Sequence, residues 1–247
     1  MTPRPAADGT LNPAGIRGVL FDVDGTLYIQ WPVRLIVLSI LIAKHALAPA
    51  RLVRVLNVIR KYRAMQELLR HDVESGKGGP ERQAVMTAAA TGESEEFVER
   101  TVEEWMRQRP LPFLRYFLRP GASVLLRGLQ ERGYRLGAYS DYPCGEKLVR
   151  MTLADYFSFA ASSFDRDILT FKPGRTGFLA CARRMGLEPG AVLYIGDREH
   201  ADAAGAQRSG MQAVLVGGMF LRFLRNPLRP RKYRSFHAIR KTMCDRS

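Results

Sequence analysis

Apolar residues along the chain fall into a few short unbroken runs set between longer amphipathic stretches. Four runs have the length and β-branched or aromatic content of buried strands, at 18–23, 134–140, 192–196 and 212–216, with a weaker fifth at 159–162. Helical patterns lie between the later runs. The pattern at 123–132 ends at Gly133, that at 175–185 at Gly186 and that at 201–209 at Gly210, glycine being the usual residue just past a helix end; a fourth, 146–155, follows Pro143. Strand and helix in alternation predict an α/β class fold, doubly wound around a mostly parallel sheet. In such folds ligands bind beyond the carboxyl ends of the strands. Here those ends carry Asp22 and Asp24, then Ser140 and Asp141, then Gly196 and Asp197.

Residues 28–118 break the alternation and read as all-helical. Leu52, Val55, Leu56, Ile59, Tyr62 and Leu69 recur at helical spacing, with Arg51, Arg54, Arg60, Lys61 and Arg63 off that face. A glycine-rich loop at 75–80 precedes two further helices, 80–90 and 94–109. Ser94 lacks the acid or amide of a capping box three residues on, where Phe97 stands, but Glu95 and Glu96 suit a helix start. A helical insertion directly after the first strand is a candidate lid. The chain therefore divides into a loose polar tail (1–15), a core (16–27 and 119–218), a helical cap (28–118) and a basic tail (219–247).

Charge changes the picture. The 247 residues hold 38 Lys and Arg against 24 Asp and Glu, a net +14, which points to anionic partners. Residues 219–247 hold nine of those cations against Asp245 alone, interleaved with Phe220, Leu221, Phe223, Leu224 and Leu228. This pattern suits anionic lipid, with nucleic acid the less favoured partner; a frayed or core-docked tail is the bland alternative. The apolar stretch 35–43 is broken only by Ser39 and is far short of the roughly 20 residues of a membrane span. It is either a buried helix or a membrane-surface helix. Cys144, Cys181 and Cys244 are too few and too scattered for a disulfide framework or a zinc site. They suit a reducing compartment, and the polar start lacks the apolar core of a signal peptide, so the expected location is cytoplasmic, with membrane association open.

The stretch FDVDGTL, 21–27, concentrates two carboxylates, Asp22 and Asp24, in two positions of one strand end. Alone it is a weak signal. A calcium loop counted from Asp22 would need Gly sixth and Glu twelfth, where Leu27 and Val33 stand. Downstream, a hydroxyl at Ser140, a lysine at Lys172 before a proline, and Asp197 and Asp202 at a strand-to-helix junction stand in the same order.

These four pieces together resemble the haloacid dehalogenase superfamily: DxDGT at 22–26, Ser140, Lys172, and GDxxxxDxxGAxxxGM at 196–211. The resemblance covers 18–27 and 119–217, leans toward the phosphoglycolate-phosphatase-like branch, and puts 28–118 in the place of a C1-type cap. It implies a phosphatase acting on a small phosphorylated substrate with Mg²⁺ as cofactor. Asp22 is then the nucleophile and Asp24 the general acid and base. Asp22, the backbone carbonyl of Asp24 and Asp197 are the implied metal ligands, the ion offsetting the repulsion between carboxylates. Ser140 and Lys172 hold the phosphoryl oxygens, and Asp202 orients a metal-bound water or Lys172 from behind. Asp141, Arg198 and His200 have no reading on this basis, His200 standing as a solvated loop residue. Within the resemblance, Asp24 favours phosphoryl transfer over dehalogenation, whose halide leaves unprotonated. A phosphomutase or a dehalogenase is a minor alternative; the other class is a non-catalytic basic protein binding membrane or nucleic acid.

Overall fold

The computed structural model describes residues 11, 13–71, 79–217 and 233–245. Its centre is one parallel sheet: β1 (Gly18–Phe21), β2 (Arg135–Ser140), β3 (Phe159–Ser162), β4 (Val192–Gly196), β5 (Gln212–Val216) and β6 (Tyr233–Arg234). The strands stand in the order β3-β2-β1-β4-β5-β6. The chain leaves β1 toward β2 and β3 on one side and returns to β4 and β5 on the other, so the strand order reverses at β1, the place where folds of this kind bind ligands beyond the carboxyl ends. All pairings are parallel and in register, with Phe21 beside Ala138 on one flank and Ile195 on the other.

Both faces of the sheet are covered, as the continuous apolar runs require. Val19 and Phe21 point into one core with α5 (Ala122–Glu131) and α9 (Phe236–Cys244); Leu20 points into the other, with α7 (Arg175–Arg184) and α8 (Ala204–Arg208). The expected helix at 146–155 is shorter, α6 (Gly145–Arg150), and resumes as a 3-10 turn at Ala154–Tyr156 past the left-handed Thr152.

Between β1 and α5 the chain is helical: α1 (Gln30–Lys44), α2 (Pro49–His71), α3 (Arg82–Thr91) and α4 (Glu95–Val102), extended by a wide-turned segment Glu103–Gln108 and a 3-10 segment Leu111–Phe117. Ser94 caps α4 by accepting from the Phe97 amide, which the missing capping-box acid did not prevent. Val58, Tyr62, Ala88, Val98 and Val102 form one small core, and Leu41, Val55 and Trp105 another. Val58, Gln66 and Arg70 join the buried side of α2, beyond the face its spacing predicted. Among the described residues no helix is long and apolar enough to cross a membrane.

Two expectations are corrected at the termini. Leu11 is buried in the main core, so the polar start is not loose throughout. The basic tail is not one element either. Its end forms β6 and α9, where Phe236 packs edge-on to Phe21 at 6.4 Å and Ile239 and Met243 are buried. A two-residue strand in a basic stretch has no apolar run to announce it, and the apolar spacing of 236–244 was hidden by its cations. The basic residues 222–232 lie outside the described residues.

Candidate active site

Three adjacent strands deliver the site. Asp22 follows β1 directly, Ser140 ends β2, and Asp197 follows β4, so neighbours in the sheet bring their tips together. Gly25 makes this approach possible: its φ is +90°, and a Cβ there would lie 2.3 Å from an Asp197 carboxylate oxygen. Gly196 does the same for Asp202, whose Cβ a side chain would meet at 2.5 Å.

Lys172, in the loop between β3 and α7, is the hub. Its Nζ donates to Asp22 Oδ1 at 2.6 Å, Asp202 Oδ1 at 2.8 Å and the Tyr194 hydroxyl at 3.0 Å. The other oxygen of Asp22 accepts from Thr26 Oγ1 at 2.8 Å, and Asp202 Oδ2 accepts the amides of Asp197 and Arg198 at 3.2 and 2.9 Å. Carboxylate oxygens of Asp22, Asp197 and Asp202 all lie within 4.8 Å of one another.

The electrostatics follow from that count: three carboxylates face one ammonium. Burial pushes Asp22 up, Lys172 opposes it, and Asp202 and Asp197 add to it, leaving its carboxyl at about 8. Burial and Asp202 push Asp197 up to about 6. Asp202 goes the other way: burial is outweighed by Lys172 and the Arg198 amide, and it is lowered. Burial disfavours the Lys172 charge, but Asp202 and Asp22 override it and raise that group well above its ordinary value. With Asp22 and Asp197 both ionised, the three carboxylates would exceed the ammonium by two charges, and their hard oxygen donors fit a divalent cation such as Mg²⁺.

Asp24 lies apart from this cluster. Both its oxygens accept from Lys147 Nζ, at 2.7 and 2.6 Å, one accepts from the Tyr28 hydroxyl, and the other from Ser140 Oγ at 3.2 Å. Burial alone would raise its carboxyl, but Lys147 prevails and lowers it to about 2. Its carboxylate is taken up by these donors and is not one of the three acids whose oxygens lie together.

Asp141 gains a role its sequence position did not suggest. It accepts the Lys172 amide at 3.1 Å and the guanidinium of Arg70, which reaches in from the end of α2 and also donates to the Lys172 carbonyl. Glu67, one turn earlier, lies 3.3 Å from Arg70 and 3.7 Å from Arg198. His200 is exposed.

Asp22, Lys172, Asp197 and Asp202 are therefore together, and Asp24 and Ser140 adjoin them. Lys147, Tyr28, Tyr194 and Arg70 were missed. Tyr28 sits four residues after Asp24, a local spacing that signals the contact; a lysine on α6 and one arginine among many on α2 carry no periodic signal.

Comparison with known proteins gives the family. A family model described as haloacid dehalogenase-like hydrolase matches residues 16–210. A glyceraldehyde 3-phosphate phosphatase of Methanopyrus kandleri is 29% identical over 204 residues, covering 81% of this chain and 84% of that protein. A protein of the same name from Methanothermobacter thermautotrophicus is 34% identical over 101 residues, covering 39% of this chain and 43% of that protein. In fold, a HAD phosphatase from Thermococcus onnurineus superposes with a TM-score of 0.59 at 22% identity, covering 92% of this chain and 97% of that one. A 2-haloacid dehalogenase from Pseudomonas syringae pv. Tomato gives 0.60 at 20% identity, covering 93% and 99%. The chain belongs to the haloacid dehalogenase-like hydrolases.

Proposed function

We propose that this hydrolase is a Mg²⁺-dependent phosphatase that hydrolyses a small phosphomonoester by carrying the phosphoryl group briefly on Asp22. The observation that carries the reading is the bridge from Lys172 to Asp22 and Asp202 beside the Asp197 carboxylate. Asp22 and Asp197, with the backbone carbonyl of Asp24, would hold the ion. When bound, Mg²⁺ supplies positive charge against the phosphoryl oxygens.

A carboxylate oxygen of Asp22 attacks phosphorus, and the bond to the leaving oxygen breaks with its electron pair. Asp24 gives that oxygen a proton, then takes one from the water that attacks phosphorus and frees Asp22. Lys172 favours the ionised form of Asp22, holds it in place and offsets charge as it develops. In the resting arrangement Lys147 holds Asp24 ionised, the form the second step needs. Arrival of an anionic phosphate draws Lys147 toward the substrate and adds negative charge beside Asp24, which raises that carboxyl for the first step. Ser140 fixes the carboxylate that moves the proton. A leaving alcohol needs that proton and a halide does not, so Asp24 favours phosphoryl transfer over dehalogenation.

The helices of 28–118 act as a cap over this end of the sheet, with Arg70 as their anchor. The names of the relatives put phosphorylated three-carbon sugars at the head of the substrate panel. Buried free thiols at Cys144, Cys181 and Cys244 fit a cytoplasmic setting. Hydrolysis of a chromogenic aryl phosphate with Mg²⁺ tests the reading: Asp22→Asn should lower kcat by about a thousandfold or more while the fold is retained. No turnover with any divalent metal would overturn it.

A further inference from the structure

Helix α1 has two unlike faces. Val33 and Leu41 are buried and Val37 and Ile40 pack against the neighbouring cores. On the opposite side Trp31, Leu35, Leu38 and Ile42 are 59, 54, 39 and 48% exposed. Their spacing of four, three and four residues sets them in one line of about 17 Å along the helix. Leu47, in the turn that follows, and Val53, in the first turns of α2, extend the exposed apolar surface. Nothing in the proposed chemistry uses these residues. A contiguous line of large apolar side chains on a water-facing helix marks a contact surface.

Charge says what the contact is. From Gln30 to His71 the two helices and their turn carry eight Lys or Arg and one acid, Glu67. Lys44 and Arg54 are met by Glu104 and Glu93 from outside the hairpin. Arg34, Arg51, Arg60 and Lys61 make no ion pair among the described residues, and Arg34 flanks the apolar line directly. We propose that the outer face of the α1–α2 hairpin is a docking surface for an anionic lipid bilayer.

The combination of aliphatic side chains and a cationic surround favours this occupant. A second copy would set two strongly basic hairpins against each other, which like-charge repulsion opposes. Single-stranded nucleic acid is bound on aromatic platforms, and three of the four side chains in the line are aliphatic. A bilayer offers both headgroup phosphates for the cations and an acyl boundary for Trp31, Leu35, Leu38 and Ile42. The helix is too short to span, so the contact is peripheral.

Flotation of the full chain with vesicles tests this. Vesicles of phosphatidylcholine with roughly 30% phosphatidylglycerol should carry the protein at low salt, pure phosphatidylcholine should not, and about 0.5 M salt should weaken binding. Leu35→Ser/Leu38→Ser/Ile42→Ser, all at exposed positions, should lose about tenfold or more in apparent affinity with thermal midpoint and aryl-phosphate turnover unchanged. If that variant fails to fold, Leu38→Ser alone and Arg51→Glu/Arg60→Glu decide by the same loss. The proposal is overturned if the full chain stays unbound to anionic vesicles at low salt. It is equally overturned if the variants bind like the parent, which would assign binding to the basic tail. A dimer that disappears in the triple variant, or binding to polyuridylate in place of vesicles that depends on the same residues, would also overturn it.

Discussion

Lys147 sets its ammonium 2.7 and 2.6 Å from the two carboxylate oxygens of Asp24. Both side chains are largely buried, so this pair is not the weak, screened kind found on surfaces. Replacing Lys147 by Met should leave Asp24 less strongly ionised. Asp24 contributes stability above its unfolded value near 4, and that contribution is lost as pH falls through about 2. The variant should therefore unfold more easily at pH 7, by on the order of 2 kcal/mol. At saturating Mg²⁺ its kcat/KM should fall about 10- to 100-fold, and the acidic limb of its pH profile should move upward. An unmoved limb would remove Lys147 from the proton-transfer unit.

Asp22 and Asp197 are raised to about 8 and about 6 because burial and neighbouring carboxylates disfavour their charge. A divalent ion requires both to be ionised, so protons compete with it. Apparent Mg²⁺ affinity should rise as pH climbs from 6 to 8, and binding should release protons. The sign for the metal-free fold is opposite. In this range the folded protein binds more protons than the unfolded chain, so its stability falls as pH rises. The thermal upshift produced by Mg²⁺ should accordingly be larger at pH 8 than at pH 6, and calorimetry in buffers of different ionisation enthalpy counts the protons released.

Arg70 and Asp141 join the helical insertion to the loop that carries Lys172. Arg70→Ala leaves a buried carboxylate with fewer partners and should cost about 3 kcal/mol, with a rise in KM. Asp141→Asn should cost less. A double-mutant cycle on denaturant unfolding should show coupling of about 1–3 kcal/mol, whereas additive effects would show that the contact does not hold the two parts together.

The strands at the centre of the sheet, Gly18–Phe21 and Val192–Gly196, were legible because they are buried throughout and read as continuous apolar runs bounded by turns; Phe159–Ser162, half-buried or exposed over its first two residues, gave the weaker signal. Val192–Gly196 and Gln212–Val216 match their expected limits. The first strand stops at Phe21, two residues early, because Asp22 and the turn at Gly25 serve the site and not the ladder. That Asp22, Ser140 and Asp197 stand at strand tips was legible in the sequence; that those strands are neighbours comes from the sheet order. What the sequence does not display is contact across the chain. Lys147 meets Asp24 from 123 positions away and Arg70 meets Asp141 from 71, and neither partner carries a local pattern. For α1 the sequence left a buried and a membrane-surface helix open, because an apolar run shows that side chains are apolar and only packing decides which of them stay in water.

Borohydride trapping tests the central claim most directly. Enzyme quenched during turnover of a phosphomonoester with Mg²⁺ is reduced and digested, and the peptide holding residue 22 is read by mass spectrometry. Reduction of an acyl phosphate on Asp22 should put homoserine at that position, with no conversion when substrate is omitted. Turnover with Asp22 unconverted, or homoserine at another aspartate instead, would contradict the account.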